Sequence, residues 1–347
     1  MTNQDRVNSN TTCVALSLPP RLRLLAQAVV VVIALVGAEL IAHFLEMDRA
    51  AGVLCLTSLA SLLVCARLGW QQALLGVAGL AVLSVPAVFS QDDPLLATLL
   101  LTTTAFGLGL SARWQLKPVY WLLMVSLCIL ITNSPLALDP APSAVVRLAM
   151  ALLGSGALAT LLQARLRTQL GVAPASFAVA HSWRRSGAHA VMLATSTLVT
   201  TPVALQHHWH TTGLWLIITP FLVLQPFVRD SWTVALHRSL GTLAGVLLVL
   251  LMANTLPRGI PLDLPAIAAG VLTAVIAAKH GHRALKLTAL TVTIVLFNSN
   301  SADLMVMADK RVMASALGIA IALILMALAH PIEQRFGRSA PRMAPRG

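Results

Sequence analysis

Charge is what this sequence most lacks. Of its 347 residues only 10% are Asp, Glu, Lys or Arg, while 57% are hydrophobic; a soluble domain carries about a quarter charged residues. That deficit excludes a soluble globular protein. It also turns the net charge of +12 from a sign of nucleic-acid binding into a matter of topology, and no nucleic-acid partner is expected. Cysteine is scarce: Cys13, Cys55, Cys65 and Cys128 stand far apart, which rules against a disulfide framework or a zinc site. Lys117, Lys279, Lys286 and Lys310 all lie outside any G-x-x-x-x-G-K-[ST] context, so the chain has no phosphate loop with which to hydrolyse ATP. H-E-x-x-H, G-x-S-x-G and Asp-rich diphosphate patterns are missing as well. Neither an enzyme, nor a metal, nor a cofactor is expected.

What is present is a succession of apolar blocks, each about as long as a helix needs to cross roughly 30 Å of hydrocarbon. Their continuity argues against alternating barrel strands. The blocks predict an all-α integral membrane protein of about twelve spans: 24–45, 50–66, 71–90, 94–112, 118–134, 143–163, 186–206, 212–228, 239–256, 264–278, 284–300 and 305–329. Residues 1–23 lack an apolar core with a small-residue cleavage site and read as a cytoplasmic tail. Basic residues gather at alternate ends, among them Arg21, Arg23, Arg67, Arg113, Lys117, Arg165, Arg167, Arg184, Arg185, Lys279, Arg283, Arg335 and Arg338. Glu46, Asp48, Asp92, Asp93, Asp139, Asp263, Asp303 and Asp309 gather at the others. Positive charge stays on the untranslocated side, so both termini are expected inside, including the basic tail 330–347.

The halves resemble each other. Arg67-x-x-Trp70-x-x-Ala73-Leu74 recurs as Arg229-x-x-Trp232-x-x-Ala235-Leu236, Asn133-Ser134 as Asn298-Ser299, and Arg147 with Leu153-Gly154 as Arg311 with Leu317-Gly318. The offsets are 162 (Arg67 to Arg229), 165 (Asn133 to Asn298) and 164 (Arg147 to Arg311) residues, in chain order. Six helices per unit is an even number, so the expectation is two parallel six-helix repeats, 24–164 and 186–329, joined by a basic linker, 165–185. In transporters the substrate path commonly runs between such repeats, near the midplane.

Ionisable residues inside spans are costly and mark candidate sites. Glu39, with His43 one turn on, is the candidate proton carrier; a wet carboxylate at the outer interface is the plain alternative. Arg147 and Arg311 occupy equivalent repeat positions and suit a carboxylate, unless Arg311 pairs with Asp303 or Asp309 and Arg147 snorkels. The recurring Asn133 and Asn298 join them as candidate substrate contacts. His189, near a span end, reads as an interfacial residue. His207, His208 and His210 around Trp209 read as an exposed turn rather than a metal site, and His280 and His282 as part of a basic cytoplasmic patch.

The stretch FLVLQPFVRDSWTVALHRSLGTLAG, Phe221 to Gly245, is the most informative. Pro220 and Pro226 each remove a helix hydrogen bond and predict a kink. Gln225 beside the break is placed to satisfy freed backbone or face a path. Arg229 and Arg238 bracket an expected cytoplasmic elbow and, like Gln225, are candidate substrate contacts, at the inner mouth. Gly241 and Gly245, with Thr242 between them, give the small-residue spacing that brings helices close. In the first half, Ser58 and Leu59 stand near where the prolines would be, so that half is expected to act as scaffold.

Gly213-Leu-Trp215, Thr219-Pro220, Leu224-Gln225-Pro226, Arg229 and Arg238-Ser-Leu-Gly241-Thr242-Leu-Ala-Gly245 together resemble the signature of the fusaric acid resistance and aromatic acid exporter family. The likeness is sharpest over 213–245 and looser over 186–329 and, by duplication, over 24–163. It implies a repeated six-helix membrane module in the bacterial inner membrane, and proton-driven efflux of aromatic or other small organic acids. The alternatives are a passive organic-anion channel and a structural subunit with no path of its own. The partners this implies are the lipid bilayer, a small organic anion and further copies of the chain. If both termini are cytoplasmic, a fluorescent protein fused after Gly347 is bright and alkaline phosphatase fused there is inactive; the reverse pair of readings would overturn the orientation.

Overall fold

The computed structural model describes residues 19–91, 93–114, 116–136, 141–171, 182–206, 210–225, 228–255, 263–278, 282–297 and 304–337. Among these lie twelve α-helices and no strand: α1 (Pro20–Phe44), α2 (Ala51–Leu68), α3 (Trp70–Phe89), α4 (Pro94–Ser111), α5 (Lys117–Thr132), α6 (Pro142–Gln169), α7 (Trp183–Gln206), α8 (His210–Val223), α9 (Val228–Thr255), α10 (Asp263–Ala278), α11 (Arg283–Phe297) and α12 (Leu304–Gly337). Local chemistry sets several boundaries. Asp93 caps α4, its carboxylate accepting from the amides of Leu95 and Leu96 at 2.9 and 3.1 Å, with Pro94 at the first helical position, where its missing N–H costs nothing. Between α2 and α3 the chain turns at Gly69, whose φ of 100° is a conformation other residues rarely adopt.

Eight helices are long and apolar enough to cross a membrane, by length and composition. This is coarser than the twelve full spans expected. The remainder, α5, α8, α10 and α11, have 16, 14, 16 and 15 residues, about 21–24 Å of helix against a core of about 30 Å. For α5 and α8 the reason is visible in their burial. Leu122 through Thr132 of α5 and Gly213 through Phe221 of α8 are buried without interruption. A helix apolar on every side belongs inside, and protein rather than lipid covers these stretches. By contrast, α3 buries Ala73, Val77, Leu80, Ser84 and Ala87 on one stripe and leaves Leu75, Val82 and Phe89 exposed, a lipid-facing helix.

In the first half α6 packs on α1, α2 and α3, and α5 on α2, α3 and α4; in the second α12 packs on α7, α8 and α9, and α11 on α9 and α10. The halves meet where α4 lies along α7, α5 against α8, and α1 against α10. Close approaches run through glycine. A Cβ on Gly109 of α4 would overlap the backbone of Ala190 of α7. One on Gly241 or Gly245 of α9 would sit 2.7 Å from the Cβ of Leu287 or Thr291 of α11.

Two features of the region after α8 differ from the sequence reading. The eighth helix ends at Val223 rather than near 228, with Pro220 buried inside it. Residue 225 precedes a proline and is steered away from the helical region. One unbroken helix, α9, then runs from Val228 to Thr255 in place of a short elbow and a separate return helix; the stretch from Arg229 to Trp232 holds no glycine, whereas Gly69 breaks the corresponding stretch after Arg67.

These contacts carry a stability prediction. Gly109→Val and Gly245→Val overpack helix seams, each costing about 1–3 kcal/mol or more, and lower the melting temperature in detergent. Gly187→Ala, whose added Cβ meets nothing within 4 Å, leaves melting unchanged or slightly raised. Equal melting of all three against wild type would refute the seam assignment.

Candidate anion-binding site

Where α2, α5, α8, α9, α11 and α12 converge, a small pocket is lined by Leu56, Val125 and Ile129 from the first half with Trp121 of α5. Leu214, Trp215, Ile218 and Leu222 of α8, Arg238 of α9, Leu290 and Thr291 of α11, and Arg311 of α12 complete it. Its polar atoms come from few residues. Arg311 is 2% exposed and Arg238 3%. The Arg311 guanidinium carbon lies 3.2 Å from the centroid of the Trp215 ring, and Nη2 donates to the Thr291 hydroxyl at 3.1 Å. Arg311 Nε and Nη1, Arg238 Nε and Nη2, and the indole nitrogen of Trp121 are buried with no hydrogen-bond acceptor. Among the described residues the ion pairs are His43–Asp48 and Arg147–Glu46; neither pocket arginine has a carboxylate.

The helices explain how two arginines reach one place. Arg238 is ten residues into α9 and Arg311 seven into α12, about 15 and 10 Å along their axes. Arg238 lies on the stripe Ala235, Arg238, Thr242, Gly245, Val249, all buried, which is the face α9 turns inward. Gly245 lets α11 approach closely enough for Thr291 to meet α9, and the same threonine holds Arg311. On α8, Pro220 leaves the Leu216 carbonyl without its usual amide partner. Gly318 of α12 packs there, where an added Cβ would be 3.2 Å from that oxygen and 2.8 Å from the Cβ of Thr219. Thr219, Thr242 and Ser315 also carry buried hydroxyls with no partner.

Of the sequence candidates, the structure brings Arg238 and Arg311 together, with Gly241, Thr242 and Gly245 forming the packed face beside them. Arg147 lies elsewhere. Its side chain is 39% exposed and pairs with Glu46 at 3.1 Å. Asn133 caps the end of α5 and is exposed. Gln225 follows α8, its amide donating to the Leu222 carbonyl at 3.2 Å. Glu39 is half-buried on α1 and accepts from the Cys55 thiol at 3.4 Å, while His43 stands 3.4 Å from Asp48. Arg229 belongs to the first turn of α9; Asn298 and Pro226 lie outside the described residues, as do His207, His208 and His280. Among the described residues no cluster of His, Cys, Asp or Glu is placed to hold a metal.

Sequence reasoning passed over Trp121 and Thr291, and used Trp215 only as part of the family likeness. A tryptophan in an apolar run reads as an interfacial anchor, and a threonine there as neutral. The signal that was available is the 3–4 residue spacing from Ala235 to Val249, which puts Arg238 on the same face as the two glycines.

The molecule is therefore a multi-pass, all-α membrane protein with a buried cationic pocket between its helical halves. Residues 196–325, from within α7 to within α12, match the family model described as fusaric acid resistance protein-like. No curated protein and no solved structure matches the chain.

The charge distribution yields a prediction that separates the two arginines once expected to act alike. Arg147→Gln breaks an exposed pair worth about 0–1 kcal/mol and leaves melting nearly unchanged. Arg311→Met removes a buried cation that has no carboxylate, and in low-salt gluconate buffer its melting temperature equals or exceeds wild type. A strong loss of stability in Arg311→Met would show that the guanidinium is satisfied within the protein.

Proposed function

We propose that the protein exports aromatic or other small organic acids across the membrane, driven by the proton gradient. The observation that carries this reading is a pair of buried guanidiniums, Arg238 and Arg311, with donors unmatched by protein acceptors, lining one pocket with the indoles of Trp121 and Trp215. A carboxylate supplies acceptors to those donors, and an aromatic ring finds flat apolar faces to stack on. The pocket is now too small for such a ligand, so binding requires α8, α9 and α12 to part. Glu39, half-buried on α1, is the proposed proton carrier. Arg229 and Gln225 would lie along the inner approach, and Arg147, Asn133 and Asn298 along the outer one. The bacterial inner membrane, with both termini cytoplasmic, is the proposed setting.

The duplication proposed from the sequence is supported by packing: α6 on α2 and α3 corresponds to α12 on α8 and α9, and α4 on α7 to α10 on α1. At offsets of 162–165 residues, Thr57 corresponds to Thr219, Ser126 to Thr291 and Gly76 to Arg238. In the first half the counterpart hydroxyls bond to each other, Thr57 to Ser126 at 3.3 Å and buried, and Gly76 admits α5, with Val119 3.0 Å from where a Cβ would stand. The first-half counterpart is thus closed by its own side chains, and each chain has one anion site.

A passive organic-anion channel is the second reading, favoured by a pocket without an acid–base pair of its own. The deciding measurement is retention of labelled aromatic and aliphatic acids by cells overproducing the chain, with and without a protonophore. Export predicts lower accumulation of aromatic acids than in control cells, abolished by protonophore and by Arg311→Gln. Efflux that follows the anion gradient and survives the protonophore makes it a channel, and retention equal to control overturns both.

A further inference from the structure

We propose that, with no organic acid bound, the Arg238–Arg311 pocket holds one small inorganic monovalent anion of the halide class. This rests on the pocket as an anion site, and not on which acid is carried. Four observations lead to it. First, two guanidiniums, 2% and 3% exposed, line one pocket with no carboxylate among the described residues. An uncompensated buried charge costs several kcal/mol, and arginine does not escape by losing its proton. Second, among the residues that line the pocket the unmatched groups are all donors: Nε and Nη2 of Arg238, Nε and Nη1 of Arg311, and Nε1 of Trp121. A spherical ion that only accepts satisfies several of them without bringing hydrogens of its own, whereas water adds two donors and no charge.

Third, the cavity is about 10 Å³ as measured by the centre of a water-sized sphere, room for roughly one water or one small ion. An aromatic acid or a tetrahedral dianion does not fit the pocket in this form. Fourth, the remaining wall, including Leu56, Val125 and Ile129, is apolar, which a weakly hydrated monovalent anion tolerates better than a multiply charged one. The anion neutralises one of the two charges and leaves the site with a single net positive charge, still attractive to a carboxylate that would displace it.

The tryptophans supply the readout. The full-length chain, in zwitterionic nanodiscs with gluconate replacing chloride, is titrated with sodium iodide at constant ionic strength while its fluorescence is followed. Iodide quenches surface indoles linearly; an ion held beside Trp121 and Trp215 adds a saturable component. The proposal expects that component in wild type, competed away by chloride and removed by the double variant Trp121→Phe/Trp215→Phe. Arg238→Gln and Arg311→Gln each weaken it about tenfold or more, the weight of a charge-assisted hydrogen bond, and Arg147→Gln leaves it unchanged. Purely linear quenching of wild type overturns the proposal, as does a saturable component that persists in both arginine variants or in the tryptophan double variant. Because the wild-type and tryptophan measurements stand alone, arginine variants that fail to fold do not rescue it. Chloride offers an independent reading, raising the wild-type melting temperature over gluconate at equal ionic strength; no difference counts against it. An intact halide response in a chain that exports no acid supports this proposal and sinks the export reading alone.

Discussion

The pocket is organised around one contact, Arg311 lying over the face of Trp215. A guanidinium inside a bundle this apolar needs an electron-rich surface, an acceptor and a reason to be there. The indole supplies the first, Thr291 the second, and the proposed anion the third. To deliver the indole, α8 must pass through the interior, which it does as a short helix buried from Gly213 to Phe221. To deliver the threonine, α11 must lie against α9, and it can do so because Gly241 and Gly245 present no side chain there. The helix-breaking proline, the small-residue spacing and the arginines, which read as separate signals in the sequence, are parts of one arrangement.

That arrangement makes the two halves unequal. The second presents cations and unmatched donors; the first, at the proposed equivalent positions, presents hydroxyls bonded to one another and a glycine that lets two helices close. Yet the first half is not idle packing, since Trp121, Val125, Ile129 and Leu56 form one wall of the pocket. On the proposed reading, one copy of the module binds and the other walls the site, so neither half would suffice alone.

Helices were the part most legible in the sequence, because continuous apolar runs can do little else in hydrocarbon than form them. The fusaric acid resistance-like character was legible too, carried by the residues from Gly213 to Gly245. What was not legible was depth. Apolar run length cannot distinguish a helix that faces lipid from one that faces only protein, so α5 and α8 counted as full spans. The same limit affected the arginines. Arg238, between His237 and Ser239, looked like part of a surface cluster, but His237 is half-buried, its Nδ1 donating to the Thr233 carbonyl at 2.7 Å, while Arg238 on the next face is buried. Arg147 and Arg311 looked alike by repeat position, and only the fold separates a residue that meets Glu46 at an exposed helix end from one sealed against an indole.

The seam between α4 and α7 has a consequence for tolerance to change. Gly109 brings those two helices backbone to backbone, while α1 meets α10 more loosely, Leu35 standing 3.3 Å from where a Cβ on Gly270 would be. The two seams, which correspond in the proposed duplication, are therefore unequally tight, and the α1–α10 contact has more room for added volume than the α4–α7 contact.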